Sequence, residues 1–248
     1  MSANLFWYCV ILFIAAFLGG IITLVRQWSE DRLHLFVSFG AGVFLGAVFF
    51  ELLPEAMSHE NRSSVSIAIL AGYLAIFFVE KLMARHTQMG GGEKQSHKVV
   101  SIAAFIGLSV HSLVDGLGLA VSSRHEALGQ AVFLSILAHH VPAAFSVASL
   151  LSLAKISRKV AISLLAIFAA TPPIGAILFA PFFATTSEGL FEIIVGIMAG
   201  TFLYVATGDL LPEVFHSQRI RLRNLALMII GILAMAAVSF GFHHVHEL

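Results

Sequence analysis

The sequence predicts an all-α polytopic membrane protein with eight transmembrane helices. Hydrophobic residues make up 58% of the chain and charged residues only 11%, whereas soluble domains carry roughly 25% charged residues. Eight segments are long and apolar enough to cross a bilayer, which takes about 20 residues for each helix. The connections between them are short, so we expect a single transmembrane domain over residues 1–248.

The eight predicted spans follow one another along the whole chain. A membrane offers no partners for backbone polar groups, and runs of this length favour helices over the shorter strands of a membrane barrel. The first run is too long for a signal peptide and no basic residue precedes it, so we interpret it as a membrane helix. The longest connection, residues 85–98, is polar and contains three consecutive glycines, which predicts a flexible cytoplasmic loop. The predicted spans are residues 5–25, 33–57, 65–84, 99–121, 128–153, 159–180, 189–214 and 221–244.

Basic residues are distributed unevenly between the two sides of the membrane. If the N-terminus lies outside, twelve of the 14 lysine and arginine residues fall on the cytoplasmic side, and only Arg62 and Arg124 fall outside. Because positively charged connections stay in the cytoplasm, we expect a multi-pass protein of the cell membrane. Both termini would then face outward, towards the periplasm or the extracellular space.

The charge and cysteine content limit the partners of the protein. The formal net charge is zero, which gives no support for a nucleic-acid partner. The one cysteine, Cys9, excludes an intramolecular disulfide and a metal site built from several cysteines. The lipid bilayer is the partner that the composition does imply.

The second and seventh spans share a motif at a constant offset of 158 residues. Phe44-Leu45 and the acidic segment 51–55 recur as Phe202-Leu203 and the segment 209–213, both ending in Leu-Leu-Pro-Glu. The charge-derived topology makes the two copies run in opposite directions. We therefore predict an inverted repeat of helices 1–3 and 6–8 around helices 4 and 5, a pattern typical of alternating-access transporters.

The fourth and fifth spans contain histidine and aspartate, which are expensive inside a membrane and therefore candidates for function. His111 and Asp115 are four residues apart and share one helix face. In the next span His139 follows the same polar stripe as Ser135, whereas His140 points about 100° away on a 3.6-residue helix. Imidazole and carboxylate together suit zinc and its neighbours. We predict metal ligands at His111, Asp115 and His139, with His140 as a weaker candidate, or else a hydrogen-bonded structural pair.

Two acidic pairs lie at opposite ends of the membrane. Glu51 and Glu55 are at the outer end of the second span, and Asp209 and Glu213 are at the inner end of the seventh. We expect these carboxylates to lie on the path of an entering and leaving cation, with Ser112 beside the central site. The alternative is ordinary helix-end charge at the interface.

Seven other histidines are weaker candidates for capturing or delivering metal. They lie in the connections or at the C-terminus, where histidines are usually solvated. They are His59, His86, His97, His216, His243, His244 and His246.

The combined motifs resemble the ZIP family of divalent metal-ion transporters over nearly the whole chain. The resemblance rests on eight spans, the basic inner side, His-Ser-x-x-Asp-Gly at 111–116, His-His-x-Pro at 139–142 and the two Leu-Leu-Pro-Glu ends. It implies uptake of zinc, or of iron, manganese or cadmium, into the cytoplasm, with helices 2, 4, 5 and 7 lining the path. It also implies a transporter rather than an enzyme, no separate cofactor, and a homodimer, since members are often dimeric.

The departures from the family pattern concern its second metal site. Ala143 stands where family members often have a second ligand on helix 5, His140 where an acidic residue is common, and Pro172 where helix 6 often has a glutamate. We therefore predict a single metal near the midplane instead of a pair about 4 Å apart. Weak binding by few ligands would permit turnover by alternating access.

Two other functions fit the buried residues. An intramembrane zinc hydrolase would activate water on the metal, with Ser112 or Ser135 stabilising the intermediate. A metal sensor would bind without transporting.

Overall fold

The computed structural model is all-helical over the residues that it describes, 3–26, 28–57, 62–87, 93–123, 126–179, 188–216 and 221–246. Eight long helices cross the molecule, and two of them contain a π-helical turn. The helices are α1 (Ala3–Val25), α2 (Glu30–Ala56), α3 (Arg62–Thr87), α4 (Glu93–Ser122), α5 (Glu126–Leu153), α6 (Arg158–Phe179), α7 (188–216) and α8 (Arg221–His246).

These helices confirm the prediction of eight transmembrane spans. All eight have the length and apolar composition needed to cross a membrane. Large apolar side chains cover their outer surface, for example Ile67 at 68% exposure and Phe78 at 62%. Such exposure is costly in water and is expected in lipid.

Helices extend into both ends of the segment 85–98, which the sequence predicts as a cytoplasmic loop. Helix α3 continues to Thr87 and α4 begins at Glu93, and residues 88–92 lie outside the described residues. The predicted bounds followed the end of the apolar run. Helical hydrogen bonding does not require apolar side chains, and the lysine, glutamate and glutamine of this segment are good helix formers.

The eight helices pack as two groups of four. One group is α1, α4, α5 and α6, in which α1 packs on α5 and α4 packs on α6. The other is α2, α3, α7 and α8, in which α2 packs on α8 and α3 packs on α7. The main contact between the groups is α2 against α5. Each group therefore combines helices from both halves of the chain.

This pairing has the symmetry that an inverted repeat requires. Exchanging α1–α3 with α6–α8, and α4 with α5, turns the α2–α8 pair into α7–α3 and the α1–α5 pair into α6–α4. Phe44 and Phe202, which are equivalent in the repeat, touch each other edge to face with ring centroids 4.9 Å apart. Because equivalent residues meet at a symmetry axis, the pseudo-twofold axis passes between these two rings.

Glycines allow the symmetric helix pairs to cross at close range. A Cβ atom at Gly42 of α2 would lie 1.9 Å from the carbonyl oxygen of Met228 in α8. A Cβ at the repeat-equivalent Gly200 of α7 would lie 1.9 Å from the carbonyl oxygen of Ile69 in α3. Small residues at membrane helix interfaces let the backbones approach closely. Equivalent glycines therefore allow close packing in both the α2–α8 pair and the α7–α3 pair.

The π-helical turns occupy equivalent places in the repeat, Val48–Leu52 in α2 and Val205–Leu210 in α7. Each turn precedes the proline of a Leu-Leu-Pro-Glu motif, and proline cannot donate a hydrogen bond to the preceding turn. In α2 the carbonyl oxygen of Phe50 instead accepts a hydrogen bond of 2.6 Å from Ser239 Oγ in α8. π-Helical turns are frequent at functional sites, and these two carry Glu51 and Asp209.

Candidate metal centre

Helices α4 and α5 bring together the three residues with the strongest sequence signal. His111, Asp115 and His139 each offer a ligand atom, and these atoms all lie within 4.8 Å of one another. The three residues are at most 6% exposed. Among the described residues they form the one group of three or more histidine, cysteine, aspartate or glutamate residues with this metal-ligand geometry.

Asp115 lies between the two imidazole rings and gives one oxygen to each. Its Oδ1 is 3.2 Å from His111 Nε2, and its Oδ2 is 3.3 Å from His139 Nε2. The first contact follows from the i, i+4 spacing on α4, and the second joins α4 to α5. The His139 contact has hydrogen-bond geometry, and because a carboxylate only accepts, that bond needs a proton on His139 Nε2. A divalent cation would replace that proton, because it binds the deprotonated nitrogen.

Glu51 reaches the same centre from α2. Its Oε2 lies 3.8 Å from His139 Nδ1, and its Oε1 accepts a hydrogen bond from the Ser135 hydroxyl one turn before His139. The Glu51 side chain is 27% exposed, whereas that of His139 is 3% exposed. Glu51 therefore joins the buried centre to a more accessible region, and it faces the ring nitrogen that Asp115 does not use.

His140 points away from the three-residue group, as the helical spacing predicts. Its Nδ1 lies 3.3 Å from Ser112 Oγ, and its ring stacks on Phe168 of α6 with centroids 4.8 Å apart. His140 is fully buried, and its Nε2 has no hydrogen-bond partner within the described part of the chain. Ser112 and His140 thus connect α4, α5 and α6 beside the centre.

Aromatic rings close one side of the centre. The ring of Phe202 stacks on His111 with centroids 3.5 Å apart and meets His139 edge-on at 6.0 Å. Because Phe202 also touches Phe44 across the pseudo-twofold axis, the three ligands lie beside that axis. Binding sites at the interface of inverted repeats are the rule in transporters of this architecture.

One end of the bundle is rich in basic residues, and we call it the basic end. Lys155 pairs with Glu30 at 3.7 Å, and Arg158 donates to the carbonyl oxygen of Val25 at 3.3 Å. These contacts join the end of α1, the start of α2 and the connection between α5 and α6. Arg32 lies on the first turn of α2 at the same end.

Asp209 and Glu213, the acidic residues of the Leu-Leu-Pro-Glu segment of α7, lie towards the basic end and are buried. Asp209 is 1% exposed, and neither of its carboxylate oxygens has a hydrogen-bond partner among the described residues. Glu213 Oε2 lies 3.4 Å from His34 Nδ1 on α2. The structure therefore places both residues away from the three-ligand group. Glu55, at the opposite end, is exposed.

His34 is a buried histidine of α2 that the sequence motifs do not single out. It is 5% exposed inside α2 and contacts Glu213. A buried ionisable residue inside a span is a functional candidate without any motif, and that signal would have identified it. His59 lies outside the described residues, and no side-chain position is described for the other six histidines of the connections and the C-terminus.

Comparisons with known proteins agree with this architecture. The sequence matches the family model described as ZIP zinc transporter over residues 3–98 and 85–239. It is 26% identical to zinc transporter ZIP9-A of Xenopus laevis, over 93% of this chain and 95% of that protein. It is also 26% identical to zinc transporter ZIP9 of Micropogonias undulatus, over 95% and 96%. Zinc transporter ZIP1 of Takifugu rubripes is 24% identical over 93% and 95%. Eight membrane-spanning helices and a family match over most of its length show that this multi-pass membrane protein belongs to the ZIP zinc transporter family.

Proposed function

We propose that this protein carries Zn²⁺ across the membrane and binds one ion at a time through His111, Asp115 and His139. The observation that carries the proposal is the buried group of three ligand atoms within 4.8 Å. Two imidazoles and one carboxylate are donors that zinc prefers. The zinc-transporter names of the full-length relatives support zinc as the substrate.

The donor set suits transient binding. Structural zinc sites use four protein ligands, whereas three protein ligands leave a position open for water. An incomplete shell favours release, which transport requires. Fe²⁺, Mn²⁺ and Cd²⁺ accept related donors, and affinity orders alone do not separate them. The selectivity is therefore a matter for competition experiments with zinc as the reference ion.

Zinc binding at this site displaces protons. Without a cation, His139 Nε2 donates a hydrogen bond to Asp115, and His111 Nε2 lies 3.2 Å from the same carboxylate. When the cation binds Nε2 of His139, the ring proton moves to Nδ1, which faces Glu51 Oε2 at 3.8 Å. A carboxylate that accepts the second N–H of a ligating histidine fixes the tautomer and raises the basicity of the ligand. Glu51 lies at ion-pair distance from Nδ1, beyond hydrogen-bond length, and its negative charge favours a proton on Nδ1 and therefore the form of His139 that binds metal.

Carboxylates on both sides of the metal centre define a path through the protein. Glu51 is partly exposed, and Asp209 and Glu213 are buried, so this conformation favours access from the Glu51 side. Glu55, also exposed at that end, extends the entrance. We assign release to the basic end, which the charge distribution assigns to the cytoplasm. The His34–Glu213 contact between α2 and α7 closes that end in this conformation.

The inverted repeat suggests how access to the metal centre alternates between the two sides of the membrane. Glu51 and Asp209 are equivalent in the repeat, and α5 is exchanged with α4. Glu51 now contacts His139 on α5. In the exchanged conformation Asp209 is therefore expected to approach His111 on α4 while Glu51 withdraws. A shift of the α1–α4–α5–α6 group against the other four helices would produce this exchange.

The hydrolase alternative finds little support in the geometry. It needs a free serine hydroxyl at the metal, but Ser112 contacts His140 and the Ser135 hydroxyl donates to Glu51. The family comprises transporters and not enzymes. A sensor would share the same metal centre, so only a flux measurement separates it from a transporter.

The test is zinc uptake into proteoliposomes that contain the purified protein. Wild-type protein should give saturable uptake, and His111→Ala and Asp115→Asn should abolish both uptake and high-affinity binding. Glu30→Gln, a change at an exposed salt bridge of the basic end, is the matched control and should retain uptake. Zinc binding without uptake in the wild type would support a sensor and contradict transport.

The family membership and the charge distribution also support a location and an assembly. We propose a cell-membrane protein with both termini outside and a homodimeric state. Labelling of a cysteine introduced near either terminus of a Cys9→Ser protein, from outside intact cells, tests the orientation. Cross-linking in native membranes tests the dimer.

A further inference from the structure

We propose that a groove at the basic end binds an anionic phospholipid. The groove has a volume of about 530 Å³ and lies where α2, α5 and α8 meet. This volume falls within the range of about 300–1,000 Å³ that is usual for small-ligand sites. Its walls are almost wholly apolar and include Leu35, Phe36, Phe39, Phe145 and Leu227.

The mouth of the groove carries positive charge held over an aromatic ring. Trp28 lines the groove together with Arg32. The guanidinium of Arg26 lies 4.8 Å from the centre of the Trp28 ring, and that of Arg32 lies 5.8 Å from it. Trp28 is fixed in turn, because its indole nitrogen donates to the carbonyl oxygen of Ile22 at 3.1 Å. Tryptophan is enriched at the membrane–water interface, so this mouth is suited to the level of the lipid headgroups.

The charges around the mouth favour an anion. Of the nearby acidic residues, Glu30 pairs with Lys155 at 3.7 Å, and Asp31 is the other acidic residue of the first turn of α2. Arg26 and Arg32 therefore leave an excess of positive charge. Basic pockets between membrane helices on the cytoplasmic side bind anionic headgroups. The phosphate would lie between the guanidinium groups, and an acyl chain would enter the groove.

The position of the groove within the membrane-spanning helices favours a lipid over a soluble anion. Its apolar walls belong to the membrane-spanning parts of α2, α5 and α8. Phe36 contacts Phe145 with centroids 5.8 Å apart and Trp28 with centroids 5.2 Å apart, so aromatic rings continue from the mouth into the groove. A free phosphate would use only the mouth, whereas an acyl chain would also fill the apolar part. Because Phe145 is on α5 and the other walls are on α2 and α8, the lipid would contact both helix groups.

The experiment is a lipid titration of delipidated, detergent-solubilised full-length protein, followed by native mass spectrometry. The probes are dioleoyl phosphatidylglycerol, dioleoyl phosphatidylcholine with the same chains, and soluble glycerol phosphate. We expect saturable binding of phosphatidylglycerol, weaker binding of phosphatidylcholine, and no displacement by glycerol phosphate. Removing one arginine near a membrane surface should weaken binding about fivefold, at roughly 1 kcal/mol for each basic residue.

Three variants separate the headgroup from the acyl chain. Arg26→Gln with Arg32→Gln should weaken phosphatidylglycerol binding more than phosphatidylcholine binding, because only the first lipid carries a net negative charge. Leu227→Trp should fill the groove and weaken both lipids. Arg221→Gln is the matched control, because Arg221 also lies over an aromatic ring, that of Phe215 at 5.2 Å, and it should bind as the wild type does.

Each contrary result would overturn the proposal. Equal binding of the two lipids would remove the headgroup argument, and full competition by glycerol phosphate would indicate a phosphate site without a lipid. Unchanged lipid binding in folded Leu227→Trp protein, with the wild-type melting temperature, would show that the groove is not the site.

Discussion

Replacing Glu51 by glutamine tests the structure of the metal centre most directly. The change keeps the size of the side chain and removes its charge, so the amide can no longer act as a carboxylate towards His139 Nδ1, 3.8 Å away. Loss of a group that orients a metal-binding histidine costs about 10- to 100-fold in metal affinity. Because 27% of the Glu51 side chain is exposed, water screens part of its charge, and we expect about tenfold, or roughly 1.4 kcal/mol.

The assay is zinc titration of the detergent-solubilised protein, together with the KM of uptake in proteoliposomes. Ser135→Ala keeps the carboxylate and removes only the hydroxyl that positions it, so its loss of affinity should be smaller than that of Glu51→Gln. Glu30→Gln, an exposed acidic residue at the other end of α2, should bind zinc as the wild type does. If Glu51→Gln retained wild-type affinity while Asp115→Asn lost it, Glu51 would not orient His139, and the proposed tautomer step would be wrong.

Three further predictions follow from individual contacts. Zinc affinity should fall as the pH falls through the range in which histidine titrates, because protons and zinc compete for the nitrogens of His111 and His139; titrations at several pH values check this, and equal affinities throughout would contradict it. Gly116→Ala should destabilise the protein by about 1–3 kcal/mol, since its Cβ would lie 2.0 Å from the carbonyl oxygen of Pro172. Gly118→Ala is the control and should not destabilise the protein, because a Cβ there has nothing within 4 Å. Equal melting temperatures for the two variants would contradict this prediction. Glu213→Gln should weaken the contact with His34 and open the basic end, so that a cysteine introduced at position 38, in a Cys9→Ser background, reacts faster with a soluble thiol reagent; unchanged reactivity would show that this contact does not close the path.

The number of helices could be predicted from the sequence because lipid leaves few choices. A backbone in hydrocarbon must satisfy its own hydrogen bonds, so each long apolar run becomes a helix whatever its neighbours are. The i, i+4 spacing of His111 and Asp115 likewise follows from helix geometry alone. The choice of His139 over His140 was also predictable, since a shift of one residue rotates a side chain by about 100°.

Other features depend on contacts between distant helices and could not be predicted. The π-helical turn before Pro54 is accompanied by a hydrogen bond from Ser239, 189 residues away from Phe50 in the chain. Glu51 lies on that turn and reaches His139 on α5, and the sequence contains the proline but not the direction of the turn. The contact between His34 and Glu213 joins two halves of the repeat. The helix ends within 85–98 could not be predicted, because apolar runs mark the membrane, whereas helices continue beyond it.

The two central helices together contribute a single carboxylate to the site, Asp115. Aligned at an offset of 28 residues, the segments that begin at His111 and His139 place the two histidines at equivalent positions and set Asp115 against Ala143. Ala143 is 2% exposed and packs in the apolar core, so α5 contributes no second acidic ligand. Asp115 instead divides its two oxygens between the histidines, at 3.2 Å and 3.3 Å. A second metal would need its own anionic donors, and on that ground we propose that the carboxylate shared by α4 and α5 holds one ion. An Ala143→Glu variant should therefore bind a second zinc ion, or hold the first more tightly and turn over more slowly, and a zinc-to-protein ratio with uptake rates distinguishes these results from an unchanged single site.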